Sequence, residues 1–172
     1  RNKRNVAVNL RTEEGAAFFR RLLATADVFL EGYSSGAVER LGFGWEAVHE
    51  LNPRLVMMSL PGWGNEGPYR GYVTLGSGLD AASGHTALRG NPARSVEDAV
   101  TVYYSDATGS IAAVIATITA LRRREQSGEG SYIDMSQLEA MNWHLSGQLA
   151  EWTFNQRVPE RVGNTEPYVV PH

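Results

Sequence analysis

The 172-residue sequence contains no cysteine, and this absence excludes several kinds of chemistry within the chain. Without a thiol there is no disulfide, no thiolate ligand for a metal ion and no cysteine nucleophile. Chains without disulfides are typical of reducing compartments, and we expect the protein to be cytoplasmic. No secretory signal peptide is recognisable in the sequence, which agrees with that expectation.

The sequence also lacks a marked excess of either charge and a long hydrophobic run. It has 16 lysines and arginines against 19 acidic residues, and its longest basic run is Arg122–Arg124. Because nucleic-acid-binding domains carry clustered positive charge, we expect no nucleic-acid partner. The longest apolar run, residues 111–121, is shorter than the roughly 20 residues of a membrane-spanning helix, so we expect no membrane partner.

Motifs for bound metals, phosphates and serine hydrolysis are missing as well. The four histidines are scattered and form no His-Glu-x-x-His pair, so we expect no metal site. There is no Walker-type phosphate loop and no Gly-x-Ser-x-Gly elbow. The pair Gly76-Ser-Gly78 follows no predicted strand and therefore does not indicate a dinucleotide-binding turn.

What is present is an alternation of strand and helix patterns. The length suits one domain with a core. Residues 55–60 form a continuous apolar run, which is typical of a strand buried on both faces. Thr12, followed by two glutamates, is typical of a helix N-cap. The alternation predicts an α/β protein with a parallel sheet. We predict strands at 6–10, 27–31, 55–60 and 132–135, and helices at 13–26, 36–41, 45–51, 75–88, 107–124 and 137–154.

The most informative single residue is Asp106, at the start of the longest predicted helix. Its neighbours are small: Ser105, Ala107, Thr108, Gly109 and Ser110. A helix N-terminus favours an ionised carboxylate, and small neighbours leave room for a partner to approach it. Such a carboxylate can act as a nucleophile or a base. The alternative is a purely structural N-cap, for which aspartate is among the best residues.

Two further features suggest a ligand site. Arg4, Arg11 and Arg40 lie near the ends of predicted strands or in the turns after them, and Tyr33 lies in one of those turns. Guanidinium groups with an aromatic ring suit a nucleotide that carries several phosphates, whereas the alternative is ordinary solvated surface charge. The glycine-rich loop that carries Trp63 either closes over a site or is a cluster of turns.

Taken in order, eight segments of the chain resemble the class III CoA-transferase family of the CaiB/BaiF type. This family includes formyl-CoA and carnitine CoA-transferases and the α-methylacyl-CoA racemases. The segments are 3–15, 26–33, 36–42, 50–56, 59–64 followed by 67–69, 105–109, 128–135 and 162–164. The resemblance implies the parallel-sheet, nucleotide-binding-like large domain of that family, with residues 1–157 as its central part and residues 158–172 as the start of a linker toward the small domain. We therefore expect a fragment of a protein that forms an interlocked homodimer.

The resemblance also implies a chemistry. Asp106 matches the aspartate that attacks an acyl-CoA thioester and then carries CoA as an aspartyl thioester until a free carboxylic acid accepts it. Coenzyme A, as acyl-CoA, and a carboxylic acid are thus the expected partners, with no metal. Residues expected to contact the CoA nucleotide are Arg11, Tyr33, Ala37 and Arg40; Trp63 is expected near the acyl or pantetheine end, and Arg4 lies adjacent to this group.

The chain departs from the family pattern in three places. Gly32 stands where an asparagine is usual, and Pro61 stands where some members have a lysine. Residues 71–73 lack the histidine that the racemases pair with the aspartate. Because racemisation needs two opposed acid/base groups, transfer is favoured over racemisation. The alternatives left open are a racemase with Asp106 as base and a non-catalytic acyl-CoA-binding paralogue.

Overall fold

A three-stranded parallel sheet organises the chain in a computed structural model, which describes residues 2–98 and 102–165. The strands are β1 (Val28–Glu31), β2 (Val56–Ser59) and β3 (Ser131–Asp134), with β2 in the centre. In the register, Glu31, Ser59 and Asp134 pair side by side. The carboxyl ends of all three strands therefore meet at one edge, and the predicted parallel α/β architecture is confirmed.

Helices precede, connect and follow these strands. α1 begins where the Thr12 side chain accepts a hydrogen bond from the Gly15 N–H at 3.2 Å, as the sequence predicts. The helices are α1 (Glu13–Leu23), α2 (Ala37–Arg40), α3 (Trp45–Leu51), α4 (Gly76–Ala82), α5 (His85–Leu88), α6 (Tyr104–Ser127), α7 (Gln137–His144) and α8 (Ser146–Asn155), with a short 3₁₀ turn at Val96–Asp98.

The core lies between the sheet and the first three helices. All four residues of β2 are buried, which agrees with the apolar run in the sequence. Met57 packs with Leu23 and Phe43, and the ring of Phe19 meets that of Phe43 edge-on at a centroid distance of 4.8 Å. The core cluster consists of Leu23, Val38, Phe43, Val48, Leu55 and Met57.

Some predicted elements differ from the structure. The strand expected at 6–10 is wrong: these residues are irregular and Val6 is 60% exposed, because within the described residues the sheet pairs β1, β2 and β3 alone. The helix expected at 75–88 divides at Gly84, whose φ of +85° favours glycine. The helix expected at 137–154 divides at Leu145.

α6 is longer than the sequence predicts and starts three residues earlier. It packs against α4, α7 and the strands β2 and β3. Its outer residues Ile111, Val114, Ile115 and Ile118 are exposed. Within the described residues, α6 has the length and composition that a membrane span needs, with a mean hydropathy of 1.2 over 18 residues, of which 28% are buried. Core helices of soluble proteins meet the same criterion.

Candidate active site

Asp106 lies in the first turn of α6 and faces a cavity of about 400 Å³. Its side chain is exposed, and no described residue donates a hydrogen bond to its carboxylate. The carboxylate is therefore open to an incoming electrophile. The cavity is lined by Gly32, Tyr33, Ser34, Gly62, Tyr72, Val73, Thr74, Leu75, Gly76, Ser77, Leu79, Tyr103, Asp106 and Gln137.

The N-terminus of α6 is capped by another aspartate, Asp80 of α4. The Tyr104 N–H donates to Oδ2 of Asp80 at 3.1 Å, and the Ser105 N–H donates to Oδ1 at 2.9 Å. Tyr103, at the N-cap position, makes no side-chain cap bond. The structural role that the sequence left open for Asp106 is thus filled by Asp80.

Asp80 is buried, with 2% of its surface exposed, and it lies beside a histidine and an arginine. Its Oδ2 lies 3.8 Å from Nδ1 of His85 and 3.7 Å from Nη1 of Arg89. Burial by itself raises the pKa of Asp80, but hydrogen bonds from Ser105 and Tyr104 outweigh it and hold that pKa below its ordinary value. The Asp80 carboxylate is therefore ionised at neutral pH.

Burial also lowers the pKa of His85, and the charge of Arg89 acts in the same direction, against the opposing effect of Asp80. The imidazole is therefore neutral at pH 7. Its ring lies beside Tyr104 at a centroid distance of 4.7 Å, and His85 is not among the residues that line the cavity.

Gly76 provides the space that the Asp106 carboxylate occupies. A Cβ on Gly76 would lie 3.0 Å from Oδ2 of Asp106 and 2.9 Å from Cβ of Tyr103, closer than side chains normally approach. The Ser105 hydroxyl donates to the Gly76 carbonyl at 3.1 Å, which holds α4 against the first turn of α6. A glycine is therefore needed here for close packing.

A polar network at the carboxyl edge of the sheet supports Tyr33. The Tyr33 N–H donates to Oε2 of Glu31 at 2.9 Å, and the Ser59 hydroxyl donates to Oε1 of the same carboxylate. Nδ2 of Asn65 donates to Oγ of Ser59 at 2.9 Å and to Oδ1 of Asp134 at 2.9 Å. Tyr33, which lines the cavity, is thus held by the buried end of β1.

The structure brings together part of the set of residues that the sequence indicates. Tyr33 and Asp106 line one cavity, and the ring of Trp63 lies 5.8 Å from that of Tyr72, which lines the cavity too. Ala37 and Arg40 belong to α2, which follows β1 and the turn that carries Tyr33.

Two candidate arginines before α1 are not among the residues described as lining this cavity. Arg4 and Arg11 are exposed, and neither is among its described lining residues. The Arg11 N–H bonds locally to Oδ1 of Asn9 at 3.1 Å. The proposed linker from residue 158 is described only to residue 165, and its last seven residues lie outside the described part of the chain.

Sequence reasoning missed Gln137 and Asp80. Nε2 of Gln137 donates to the Leu60 carbonyl at 3.0 Å, and the Gln137 side chain lies over Gly109 at the cavity wall. Asp80 is the one acidic residue in the stretch 76–84, which otherwise consists of small residues and a leucine. A lone acid in such a stretch indicates a packed side chain with a polar partner, but the sequence does not identify that partner. Over residues 2–98 and 102–165, no group of three or more histidine and acidic side chains is placed to hold a metal ion.

Comparisons with known proteins agree with this architecture. The chain is 34% identical over 171 residues to succinyl-CoA–D-citramalate CoA-transferase of Chloroflexus aurantiacus, covering 99% of this chain and 42% of that relative. It is 33% identical over 173 residues to succinate–glutarate CoA-transferase of Agrobacterium fabrum, covering 100% of this chain and 43% of the relative. The chain thus spans less than half the length of these relatives.

A solved structure shows the same fold. The crystal structure of a CaiB/BaiF family protein from Brucella suis superimposes with a TM-score of 0.88 at 33% sequence identity. The match covers 98% of this chain and 44% of that protein. The model of CoA-transferase family III matches residues 1–172, that is, every residue of the sequence. On these grounds the chain belongs to CoA-transferase family III.

Proposed function

We propose that the protein is a CoA-transferase that moves CoA from an acyl-CoA thioester to a free carboxylic acid through a covalent intermediate at Asp106. The observation that carries the proposal is the exposed Asp106 carboxylate in a cavity, free of the helix-capping role that Asp80 fills. Family membership and two relatives named as CoA-transferases support it.

The proposed reaction consists of four nucleophilic attacks. An Asp106 oxygen attacks the thioester carbonyl, the C–S bond breaks, and CoA leaves as a thiolate to give a mixed anhydride. The thiolate attacks the Asp106 carbonyl, and the donor acid leaves. The acceptor carboxylate attacks the aspartyl thioester and releases the thiolate, which then attacks the acceptor carbonyl and restores the Asp106 carboxylate. Anhydride and thioester are both of high transfer potential, so little free energy is lost between steps.

The proposed CoA contacts follow the family resemblance. Guanidinium groups suit the CoA phosphates, and an aromatic ring suits its base. Tyr33 is supported by its position at the cavity shared with Asp106, and Trp63 by its ring contact with the cavity wall. The contacts proposed for the nucleotide are Arg11, Tyr33, Ala37 and Arg40, with Trp63 at the acyl or pantetheine end and Arg4 nearby.

Further parts of the proposal concern the whole protein. We propose an interlocked homodimer, a cytoplasmic location, and acyl-CoA and carboxylic acids as small-molecule partners, without a metal, nucleic acid or membrane. The names of the relatives, which act with succinyl-CoA or succinate, make succinyl-CoA the first donor to test. Size-exclusion chromatography with light scattering on the intact protein tests the dimer.

Covalent trapping tests the proposed nucleophile. The intact protein is incubated with succinyl-CoA, then treated with hydroxylamine or borohydride, and its peptides are analysed by mass spectrometry. We expect modification at Asp106, and loss of both modification and turnover in Asp106→Asn. Asp98→Asn, which changes another exposed aspartate, is the matched control and retains both. Unmodified Asp106 together with full turnover in Asp106→Asn contradicts the proposal.

The same preparation separates the alternatives. Exchange of the α-proton of a 2-methylacyl-CoA in deuterated water, without CoA transfer, would indicate a racemase. Tight CoA binding without turnover on any acceptor would indicate a non-catalytic paralogue. Transfer is favoured because none of the described residues that line the cavity is a histidine that could oppose Asp106 as a second acid or base.

A further inference from the structure

Two aspartates lie at the N-terminus of α6: Asp106 in its first turn and Asp80, which comes from α4. Asp106 is the third residue of the helix, the position from which an acidic side chain can bond back to the N-cap N–H. That N-cap residue is Tyr103. Asp80 instead binds the N–H groups of Tyr104 and Ser105 from outside the helix. Two acids thus lie at one helix N-terminus, and the structure shows Asp80 bound to it while the Asp106 carboxylate faces the cavity.

Contacts beyond the two capping hydrogen bonds also hold Asp80 and the start of α6 in place. The Ser105 hydroxyl joins α6 to the first residue of α4, and Nη1 of Arg89 donates to the Val102 carbonyl at 2.7 Å while lying 3.7 Å from Oδ2 of Asp80. The Arg89 guanidinium therefore contacts both Val102, which precedes α6, and the Asp80 carboxylate, which caps the helix. The positive charge of Arg89 compensates the buried negative charge of Asp80, while the neutral His85 packs beside the carboxylate.

Gly76 makes the position of the Asp106 carboxylate sensitive to small shifts. Since a single methyl group at Gly76 would already crowd Oδ2 of Asp106, a shift of α6 relative to α4 would move the carboxylate within the cavity or push it out. Misplacement of a reacting group by about 1 Å can cost about 100-fold in rate. The link between α4 and α6 therefore bears on the chemistry and not on stability alone.

We propose that Asp80 is a positioning residue for the nucleophile: by binding the Tyr104 and Ser105 N–H groups, it keeps the Asp106 carboxylate directed into the cavity. This inference rests on the proposed function, in which Asp106 attacks the thioester. When Asp80 loses its charge, the helix N-terminus attracts the Asp106 carboxylate instead, and the side chain turns back toward the Tyr103 N–H. The nucleophile is then both less available and wrongly aimed.

Single-turnover trapping separates positioning from folding. The intact protein is mixed with succinyl-CoA and the Asp106 adduct is quantified over time by mass spectrometry, so that its amplitude reports the folded fraction and its rate constant reports the attack. We expect the rate constant of Asp80→Asn to fall about 100-fold, with an adduct amplitude close to that of the wild type. Asp80→Asn is nearly isosteric and keeps one acceptor oxygen, whereas Asp98→Asn is the control and retains the wild-type rate constant.

Two further readouts make the result specific. The KM for succinyl-CoA should stay within about threefold of the wild type, because binding contacts are kept while the attack is slowed. A crystal structure of Asp80→Asn should show the Asp106 side chain turned toward the Tyr103 N–H. Should Asp80→Asn fold poorly, Asp80→Glu keeps the charge, and its longer side chain should retain more of the rate constant than Asp80→Ala.

The outcomes distinguish this inference from the proposed function. If the wild type forms the adduct and Asp80→Asn forms it at the same rate constant, the positioning role is wrong while the nucleophile stands. If a smaller amplitude accounts for the entire loss, Asp80 is structural only and the inference is again overturned. If the wild type forms no adduct at Asp106, the proposed function fails and this inference fails with it.

Discussion

At the scale of single residues, Asp80 caps the first turn of α6 and Asp106 belongs to that turn, and their carboxylates differ in what they contact. Asp80 is buried and bound by two backbone N–H groups, whereas Asp106 is exposed and faces a cavity. Hydrogen bonds that satisfy a carboxylate stabilise its charge and lower its nucleophilicity. The surroundings of each side chain therefore suit Asp80 to capping the helix and leave the Asp106 carboxylate open to a ligand.

Gly76→Ala is expected to slow the proposed reaction by more than any loss of folded protein explains. The added methyl group would crowd Oδ2 of Asp106 at 3.0 Å and Cβ of Tyr103 at 2.9 Å, so the carboxylate must move. We expect the single-turnover rate constant to fall about 10- to 100-fold. Gly147→Ala is the matched control, because a Cβ on Gly147 meets nothing within 4 Å. An unchanged rate constant in Gly76→Ala would show that this glycine is dispensable for placing Asp106, the proposed nucleophile.

The sequence indicates Asp106 but not the residues that free it. Asp106 has a local signature of small neighbours at the start of an apolar helix, all within a few positions. Asp80 acts on residues 24 and 25 positions away, and Gln137 reaches a carbonyl 77 positions away. Such pairings depend on how α4, α6 and α7 pack together. No spacing along the chain contains that information.

At the scale of elements, the strands of the sheet and the helices differ in how well the sequence predicts them. The three strands are predicted to within about one residue at each end, because apolar runs flanked by turns are local signals. The strand expected at 6–10 has the same local pattern, but a strand also needs a hydrogen-bonding partner, and the described sheet provides none for it. The sequence predicts the start of α6 three residues late because the cap of this helix comes from α4 and not from the preceding residues.

Stability at the junction of α4, α5 and α6 is expected to decrease in mild acid. The pKa of His85 is lowered by burial and by the charges of Arg89 and His144, with Asp80 opposing. A lowered folded-state pKa means that the unfolded chain binds the proton more readily. The stabilisation is therefore complete above the unfolded pKa of about 6.5 and is lost as the pH falls below it toward the folded value.

Denaturant unfolding between about pH 7.5 and 5.5 measures this effect. We expect the free energy of unfolding to fall with decreasing pH in the wild type and to fall less steeply in His85→Gln. His49→Gln, which changes a histidine of α3 outside this junction, is the control and should keep most of the slope. An identical slope in His85→Gln and the wild type would mean that this imidazole titrates alike in folded and unfolded chains.

At the scale of the whole molecule, the chain presents an apolar surface that its own described elements do not cover. The α6 face, defined by Ile111, Val114, Ile115 and Ile118, follows the spacing of one side of a helix, and each side chain is 57–62% exposed. Contiguous apolar patches on a protein surface mark contact sites for other protein or for lipid. The relatives that the chain matches are more than twice its length. In such proteins, the segments outside the matched region can cover this face.

The 172-residue chain on its own is therefore expected to associate through the α6 face. Light scattering should show a mass that rises with concentration, and an apolar dye should bind. Replacing Ile115 and Ile118 together by lysine, a good helix former, should lower both signals, because charge on this face opposes its burial. Val158→Lys alters an exposed apolar residue outside the helices and should change neither signal. A monomer that binds no dye would contradict the prediction, and binding to lipid vesicles would contradict the expectation of no membrane partner.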